Sequence, residues 1–600
     1  MTYKTQTNSR SSSTSSIAAA QINDETDEQR RKFLGMVGGA ALLSTTSLPA
    51  LAGDEENGKL AAPAGEGPAS DDEAFRERAF KLRVAAAQAN RDAPVLPHPT
   101  NGDEERYQNY IGSDTRGLPH DGRGEVDPAA FKASLKAYAS GDPAQFEAIP
   151  LGGSRKQLNP IGTLAVSLEG LNPTQFSIPP APALNSTVRA ADAVELYWQS
   201  LLRDVPLTAF TNDTDNKDIL AAADELNKLP GFNGPRVNGK VTPQTLFRGT
   251  ALYVDKSDPS GRTGRYVIPP GTLEGPYISQ FALRDAPHGA QYIPAQIRTV
   301  TPESTFLTDY DEWLTVQNGK FSGKAPKFDP TLRFVATGRD LAEYVHNNSA
   351  TFWAAALLLG TGADKANPSY GGFGTSLAPN NPYLKSKTQV GASNTFALPY
   401  IQGLLPYTAS RAIRTAYWHK FFIHRTLRPE AYGGLIHHRI ANKADYPIHA
   451  DVLNSQALAR SVAKFGTHLL AHVYPEGAPI HSTYPGGASQ IAAASVTILK
   501  AFYDENSVVP NPVQPDPKDP TKLIAYNGPP LTVGGELNKL AWNYGIGRDW
   551  AGIHFRSDFS SSLALGEELA ISILRDERLT FREPFEGFTL TRFDGTKATV

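Results

Sequence analysis

The chain has 600 residues, enough for one large domain or several smaller ones, which excludes a peptide-like protein. Its 58 basic and 61 acidic side chains give a net charge of −3, a balance that argues against a protein built to coat nucleic acid or an anionic membrane. Cysteine is absent, so disulfides, thiolate nucleophiles, thiolate zinc sites and iron–sulfur clusters are excluded. The 51 glycines and 46 prolines together make up about 16% of the chain, whereas the usual share is about 12%. This excess predicts long ordered loops.

The N-terminal 52 residues resemble a twin-arginine export signal. Arg30 and Arg31 precede a moderately apolar stretch, Phe33 to Leu51, and small residues at Ala50 and Ala52 suit a signal peptidase. The alternative, a transmembrane anchor, needs about 20 apolar residues, and the serines, threonines and proline of this stretch interrupt it. We therefore predict cleavage after residue 52 and a periplasmic or secreted protein that has no membrane segment after cleavage.

Sulfur is confined to the predicted signal, because the two methionines are Met1 and Met36. The mature chain would then carry no sulfur at all. Thiols and thioethers are the side chains that strong oxidants attack first, so such a chain suits a place where peroxide or hypohalous acid is present. General sulfur economy in the source organism explains the same composition.

Residues 53–75 are acidic and rich in glycine and proline, which predicts a disordered linker. Residues 76–600 carry apolar side chains at three- and four-residue spacing in several windows, and strand-like alternation is scarce outside 246–282. The pattern predicts an all-α helix bundle with long loops and little sheet. The predicted helical windows are 190–203, 338–360, 408–427, 450–473, 488–503 and 552–575.

A first candidate site element contains Lys420 and Arg428, which lie eight residues apart, about 80° around an ideal helix. Both side chains could therefore reach one side. Pro429 biases Arg428 out of helical geometry and places its guanidinium at a helix end, where the planar fork could bind two oxygens of an anion. Most Lys/Arg pairs on helices lie on solvated faces, so this element alone is weak evidence for an anion site.

A second element runs from His481 through Pro485, Gly486 and Gly487 to Ala488 and leads into a helical pattern. Glycines let the backbone approach a ligand closely, and the unpaired N–H groups at a helix start attract anions. The alternative is an ordinary Pro-Gly-Gly turn.

A third element contains Arg548, His554 and Asp558. On one helical face, the Asp558 carboxylate could hold one nitrogen of His554 and leave the other free to coordinate or attack. Arg548 joins them only if the helix begins near it, and we predict that it does. A lone histidine on such a helix is more often a core or surface residue.

Together the three elements resemble the site of the vanadium-dependent haloperoxidases, a family that shares this site with acid phosphatases and lipid phosphatases. The wide gap from Lys420 to Arg428 is similar to that of the algal bromoperoxidases. Three further stretches carry the resemblance across most of residues 190–575; they are 195–206, 275–281 and 338–346. The resemblance implies that residues 410–575 carry the oxyanion site, with vanadate as cofactor.

The resemblance implies that vanadate oxygens would be bound by Lys420, Arg428, Arg548 and the N–H of Gly487. His554 would be the single protein ligand of the metal. Asp558 would orient that histidine. The reaction implied is oxidation of halide, bromide or chloride, by hydrogen peroxide, followed by halogenation of an organic acceptor, and algal relatives assemble as homo-oligomers.

The family's Pro-Ser-Gly-His reads Pro485-Gly486-Gly487-Ala488 here, so the hydroxyl donor and the acid/base histidine are both missing. The loss of a positioned general acid/base costs about 10²–10⁴-fold in rate. We therefore predict retained oxyanion affinity with weakened or altered proton transfer. His481 would either relay protons through water or only hydrogen-bond the loop; the sequence leaves both open.

Two other functions remain open at this point. One is a phosphate-ester hydrolase with His554 as nucleophile, although the missing histidine would also be its leaving-group acid. The other is a non-catalytic oxyanion-binding relative.

Three other residues are candidates for the site or for a metal. Tyr417 could line the pocket and affect halide choice. His468 and His472 have the spacing of a zinc pair on a helix, without a third ligand in evidence.

Overall fold

The computed structural model describes residues 72–347, 350–362, 371–387 and 390–600. All of these belong to one compact unit, Lys59–Val600. The predicted export signal and most of the predicted linker lie outside the described residues. Residues 72–75, expected to be disordered linker, instead begin a helix, because Asp72 and Glu73 lie in its first turn, where carboxylates stabilise the helix dipole.

The described chain is mainly helical, as the sequence predicts. In chain order the α-helices are α1 Asp72–Asp92, α2 Asp103–Arg106, α3 Pro128–Ser140, α4 Pro143–Glu147, α5 Thr187–Leu202, α6 Lys217–Lys228, α7 Tyr310–Gln317, α8 Gly338–Asn347, α9 Thr351–Gly360, α10 Leu398–Trp418, α11 Pro429–Ala441, α12 Ala450–Leu453, α13 Gln456–Phe465, α14 Gly487–Phe502, α15 Val533–Trp550 and α16 Arg556–Thr580. A π-helix, His419–His424, extends α10.

Strands occur in the described residues as short antiparallel hairpins. In the predicted strand region, Ala251 pairs with Val267 and Val254 pairs with Gly264. The other hairpins lie outside the region 246–282, in parts of the sequence that show little strand-like alternation. The strands are β1 Ala251–Val254, β2 Gly264–Val267, β3 Ala286–His288, β4 Gln291–Ile293, β5 Val513–Pro515, β6 Leu523–Ala525, β7 Thr589–Thr591 and β8 Lys597–Thr599.

Helix α14 forms the centre of the bundle and packs against α10, α15 and α16. It is rich in alanine, which has the highest helix propensity and lets neighbouring helices approach closely. Gly545 of α15 serves the same purpose, because a Cβ there would lie 2.6 Å from Cβ of Phe559 on α16. The N-terminus of α14 is therefore held deep in the bundle.

Several predicted windows differ from the observed helices. The window 450–473 holds α12 and α13 only, since Gly466 at φ 74° ends α13 in the left-handed region. The window 408–427 begins ten residues earlier, at Leu398, and its regular α-helix ends at Trp418. Within the described residues, no helix combines the length and apolar character that crossing a membrane requires.

Candidate functional site

The Lys420 ammonium is buried and binds the loop that precedes α14. Its Nζ donates to the carbonyl oxygens of Ser482 at 2.6 Å and Thr483 at 2.7 Å, and the side chain is fully inaccessible to solvent. The first and second predicted elements are therefore in direct contact.

Lys420 and Arg428 meet by a route that differs from the predicted one. Lys420 lies in the π-helix, which ends before Arg425, a residue at φ 33° in the left-handed region. Arg428 is extended, at φ −83° and ψ 156°, and is the N-cap of α11, as expected of a residue before proline. The 80° helical argument is thus wrong, because no single helix joins the two residues; the bend between them brings their side chains together.

Arg428 connects the three elements. Its Nε donates to the carbonyl oxygen of His481 at 2.9 Å, and its Nη1 donates to that of Ile553 at 2.8 Å. Nη1 also lies 3.1 Å from Nε2 of His554, and Nη2 lies 2.9 Å from Nδ1 of His481. The guanidinium is fully buried and holds both histidines.

The His554 imidazole is held from behind by a carboxylate. Its Nδ1 lies 2.9 Å from Oδ2 of Asp558 and 3.2 Å from Oγ1 of Thr483, and the Thr483 hydroxyl donates to the same carboxylate oxygen. A carboxylate only accepts hydrogen bonds, so Nδ1 carries the proton and the Nε2 lone pair faces Arg428.

The predicted contact between His554 and Asp558 is present, but the predicted shared helical face is not. Helix α16 begins at Arg556, and Asp558 caps it by accepting the backbone N–H of Phe555 at 2.8 Å. The same capping oxygen faces His554, which lies just before the helix. His554 and Asp558 are therefore in contact because Asp558 caps the helix, and not because the two residues lie one helical turn apart.

The start of α14 adds backbone donors. Gly486 is the N-cap, and its N–H donates to the carbonyl oxygen of Asp558 at 3.0 Å. Among the described residues, the N–H of Gly487 has no acceptor, as expected at a helix start. A Cβ on Gly487 would lie 2.8 Å from Cδ1 of Ile413 and 3.4 Å from the Tyr417 ring, so glycine keeps this corner open. Ala488 is half-buried in the first turn.

Arg548 lies in the last turn of α15, so the prediction that a helix begins near it is wrong; Gly552, at φ 88°, makes the turn towards His554. The guanidinium is half-buried, lies 5.7 Å from the centre of the Tyr474 ring, and has no hydrogen-bond partner in the described part of the chain. Its charge contributes to lowering the pKa values of both Lys420 and His554. Within the described residues it is therefore a cation without a hydrogen-bond partner, close enough to Lys420 and His554 for its charge to shift their pKa values.

His481 and Tyr417 form one wall of the site. Their ring centres lie 4.7 Å apart, and Nδ1 of His481 lies 2.9 Å from the carbonyl oxygen of Ser482 as well as from Arg428. Burial, and then the charges of Lys420 and Arg428, hold the pKa of His481 well below its usual value. The ring is neutral and anchors the guanidinium.

Electrostatics mark the region as a site for an anion. Burial and the charge of Arg428 hold the pKa of Lys420 well below its usual value, and burial and the same charge lower that of His554. Burial raises the pKa of Asp114 to about 6, although Arg428 opposes the shift. Asp558 and Asp114 act on the pKa of Lys420 in the opposite direction, but burial and the charge of Arg428 outweigh these two carboxyl groups.

These residues fit an oxyanion such as vanadate. Lys420 and Arg428 are buried cations, Arg548 lacks a hydrogen-bond partner within the described chain, and the helix start at Gly487 offers an unpaired N–H. A multiply charged oxyanion needs several fixed cations and backbone donors of this kind. The neutral Nε2 of His554 supplies one nitrogen ligand.

The candidate zinc pair is not supported. His468 and His472 lie beyond the end of α13, so they do not share a helical face. His472 is buried against Glu430, with Nδ1 3.7 Å from Oε2, and His468 is only partly buried. The described residues hold no group of three histidine or acidic side chains arranged for a metal ion.

Two residues at the site escape the sequence reasoning. Thr483 binds the His554–Asp558 pair, and its place two residues after His481 in the loop motif is a signal that could have indicated it. Asp114 lies beside the Arg428 segment through the hydrogen bond of its N–H to the carbonyl oxygen of Arg425, at 2.7 Å. More than 300 residues separate these two segments, so no local pattern could indicate that contact.

Comparison with known proteins gives consistent matches. Residues 450–581 match the model of the second helical-bundle domain of VCPO. The vanadium-dependent bromoperoxidase of Corallina pilulifera is 31% identical, with 88% of this chain and 99% of the relative covered, and that of Ascophyllum nodosum is 31% identical over 84% and 89%.

The solved structure of a homohexameric second vanadate-dependent bromoperoxidase from Ascophyllum nodosum superposes with a TM-score of 0.76. Its sequence is 26% identical, and 94% of this chain and 95% of that chain are covered. The mainly helical fold and the family resemblance predicted from the sequence are confirmed. Given this identity over nearly the full length of curated relatives, the chain belongs to the vanadium-dependent bromoperoxidase family.

Proposed function

We propose that the protein binds vanadate and uses it to oxidise bromide or chloride with hydrogen peroxide. The observation that carries the proposal is a buried, neutral His554 whose Nε2 lies 3.1 Å from Nη1 of Arg428, and whose pKa is lowered by burial and by the charges of Arg428, Lys420 and Arg548. Bound vanadate supplies Lewis acidity that activates peroxide without changing its own oxidation state.

Each residue has a distinct role in this proposal. Lys420, Arg428 and Arg548 hold the charge of the oxyanion, and the N–H of Gly487 binds one of its oxygens. His554 provides the nitrogen ligand, because Asp558 keeps the proton on Nδ1. Burial excludes water from Lys420 and Arg428, which strengthens their electrostatic contribution.

The overall chemistry consumes a proton. Peroxide, halide and one proton give hypohalous acid and water, and an aromatic C–H with hypohalous acid then gives the C–halogen bond and water. Ala488 cannot carry protons in this reaction. We propose that turnover is weakened, because Nδ1 of His481 is engaged by Arg428 and by the carbonyl oxygen of Ser482, so this ring positions the guanidinium and does not replace the missing acid/base.

The test is bromination of a phenol or a diketone by the purified protein with vanadate, peroxide and bromide. We expect product that depends on added vanadate and is lost in His554→Ala. Absence of any vanadate-dependent product from the folded protein would refute the peroxidase function.

The same Nε2 lone pair supports a second candidate, hydrolysis of phosphate esters with His554 as nucleophile. This activity predicts cleavage of an activated aryl phosphate that vanadate inhibits and that His554→Ala abolishes. Vanadate binding with neither activity would indicate a non-catalytic oxyanion-binding relative.

We also propose export through the twin-arginine route and assembly as a homo-oligomer. The paired arginines at 30 and 31 support the first proposal, and the homohexameric relative supports the second. Sequencing the N-terminus of the exported protein should find Gly53 first, and light scattering of the purified protein should give several times the monomer mass. An N-terminus upstream of Ala50 or a monomeric mass would contradict the respective proposal.

A further inference from the structure

A cavity borders Arg548, one of the residues of the oxyanion site. It has a volume of about 250 Å³ and is bordered by Arg155, Lys156, His346, Tyr474, Glu476 and Arg548. A cavity of about 150 Å³ accepts benzene, so this one has room for a substituted single ring.

The cavity carries an excess of positive charge. Arg155, Lys156 and Arg548 line the cavity together with one carboxylate, that of Glu476, whose Oε1 lies 3.7 Å from Nε2 of His346. Arg155 binds backbone carbonyl oxygens, including that of Glu476 at 2.5 Å, so its charge is not consumed by a direct ion pair. Lys156 is exposed and has no ion-pair partner among the described residues.

One wall of the cavity is aromatic. The rings of His346 and Tyr474 lie 4.2 Å apart at an angle of 31°. Burial, and then the charge of Arg548, lower the pKa of His346 to about 4, so its ring is neutral near pH 7. This wall therefore offers apolar contact and adds no cation.

Arg548 joins the cavity to the oxyanion site. Its guanidinium borders the cavity, and its charge also acts on Lys420 and His554. The lining also includes Pro479 and Ile480, which immediately precede His481. A molecule in this cavity would thus lie beside the place where oxidised halide is formed.

We propose that this cavity binds the organic acceptor and selects aromatic acids, in which an electron-rich ring carries a carboxylate. The inference deepens the proposed halogenation, because it names the class of acceptor. The carboxylate pairs with Lys156 and Arg155, the ring contacts the His346–Tyr474 wall, and an electron-donating hydroxyl makes the ring reactive towards oxidised halide.

The binding test compares 4-hydroxybenzoate with its neutral analogue 4-hydroxybenzamide by calorimetry, on full-length protein without vanadate. We expect the acid to bind at least about fivefold more tightly, because exposed and half-buried ion pairs contribute modestly each. Equal affinities for acid and amide would overturn the proposal.

The source of the selectivity is tested with Lys156→Gln and a matched control, Lys518→Gln, which removes the same charge from an exposed lysine that does not border the cavity. The first should weaken binding of the acid about two- to fivefold and leave the amide unchanged, and Lys156→Glu should weaken it further. An equal effect of the two glutamine variants would mean that net charge alone attracts the acid.

A carboxylate could also enter the oxyanion site itself. Saturating vanadate should leave the binding of 4-hydroxybenzoate unchanged, and displacement of the acid by vanadate would overturn the proposal. The outcome is separable from the proposed function: binding without halogenation refutes the peroxidase reaction only, whereas halogenation with equal KM values for acid and amide refutes the selectivity only.

Discussion

A histidine placed at position 488 should restore part of the missing proton transfer. Ala488 lies in the first turn of α14, next to Gly487, where the backbone N–H groups favour negative charge. A charge at a helix end interacts with the helix dipole by about 0.3–1 kcal/mol, and one pKa unit equals about 1.4 kcal/mol. The helix start should therefore lower the pKa of the new imidazole by about 0.2–0.7. The cations of the site act in the same direction, so the ring is neutral at pH 7 and available as a base.

The expected gain in kcat for Ala488→His is about 10²-fold, the lower end of what a positioned acid/base contributes. The hydroxyl of the family motif is still missing at Gly486, where a Cβ would lie 2.6 Å from Oγ of Ser489. The assay is bromination at saturating vanadate between pH 6 and 8, with vanadate affinity measured separately.

Ala488→Gln is the matched control, because it adds polar bulk that does not titrate near pH 7. The reasoning is refuted if the histidine and glutamine variants have the same kcat while both still bind vanadate. A gain confined to the histidine variant supports the proton-transfer account.

Three further results follow from the buried charges. Vanadate binding should take up protons at any pH above the lowered pKa of Lys420, because burial and the Arg428 guanidinium lower that pKa and the charge of a bound oxyanion raises it again; calorimetry in buffers of different ionisation enthalpy, repeated as the pH is raised, measures this, and no uptake at any pH would contradict it. Glu195→Ala should lower the free energy of unfolding by about 3–5 kcal/mol, because it leaves Arg556, 2.5 Å from the carboxylate, buried without its partner; denaturant unfolding would contradict this with a change below about 1 kcal/mol. Burial lowers the pKa of His472 to about 4, so the unfolded chain binds more protons between pH 6.5 and 4, and up to about 3 kcal/mol of stability is lost as pH falls through that window. His472→Gln should flatten this part of the pH–stability profile, and an unchanged slope would contradict the assignment.

The helical fold could be predicted from the sequence, because apolar residues at three- and four-residue spacing indicate helices directly. The predicted window 190–203 corresponds closely to α5, and the start of α14 follows from Gly486 and Gly487. Helix ends were less accessible. The change from α10 to a π-helix at His419 and the left-handed Arg425 depend on tertiary packing, which local propensity does not contain.

The structure brings the candidate site residues together, in part by routes that periodicity did not predict. His554 and Asp558 meet through the cap of α16, and Lys420 and Arg428 meet across a break in the helix. Asp114 could not be predicted, since its contact with this region spans more than 300 residues of chain. Residue types were informative about chemistry, whereas the geometry depended on how distant segments pack.

The central claim is that the cations and His554 hold one oxyanion, and a crystal structure of the protein soaked in vanadate tests it most directly. The account predicts density joined to Nε2 of His554, with oxygens within hydrogen-bond distance of Lys420, Arg428 and Arg548. Vanadate bound elsewhere, or density that does not reach His554, would contradict it.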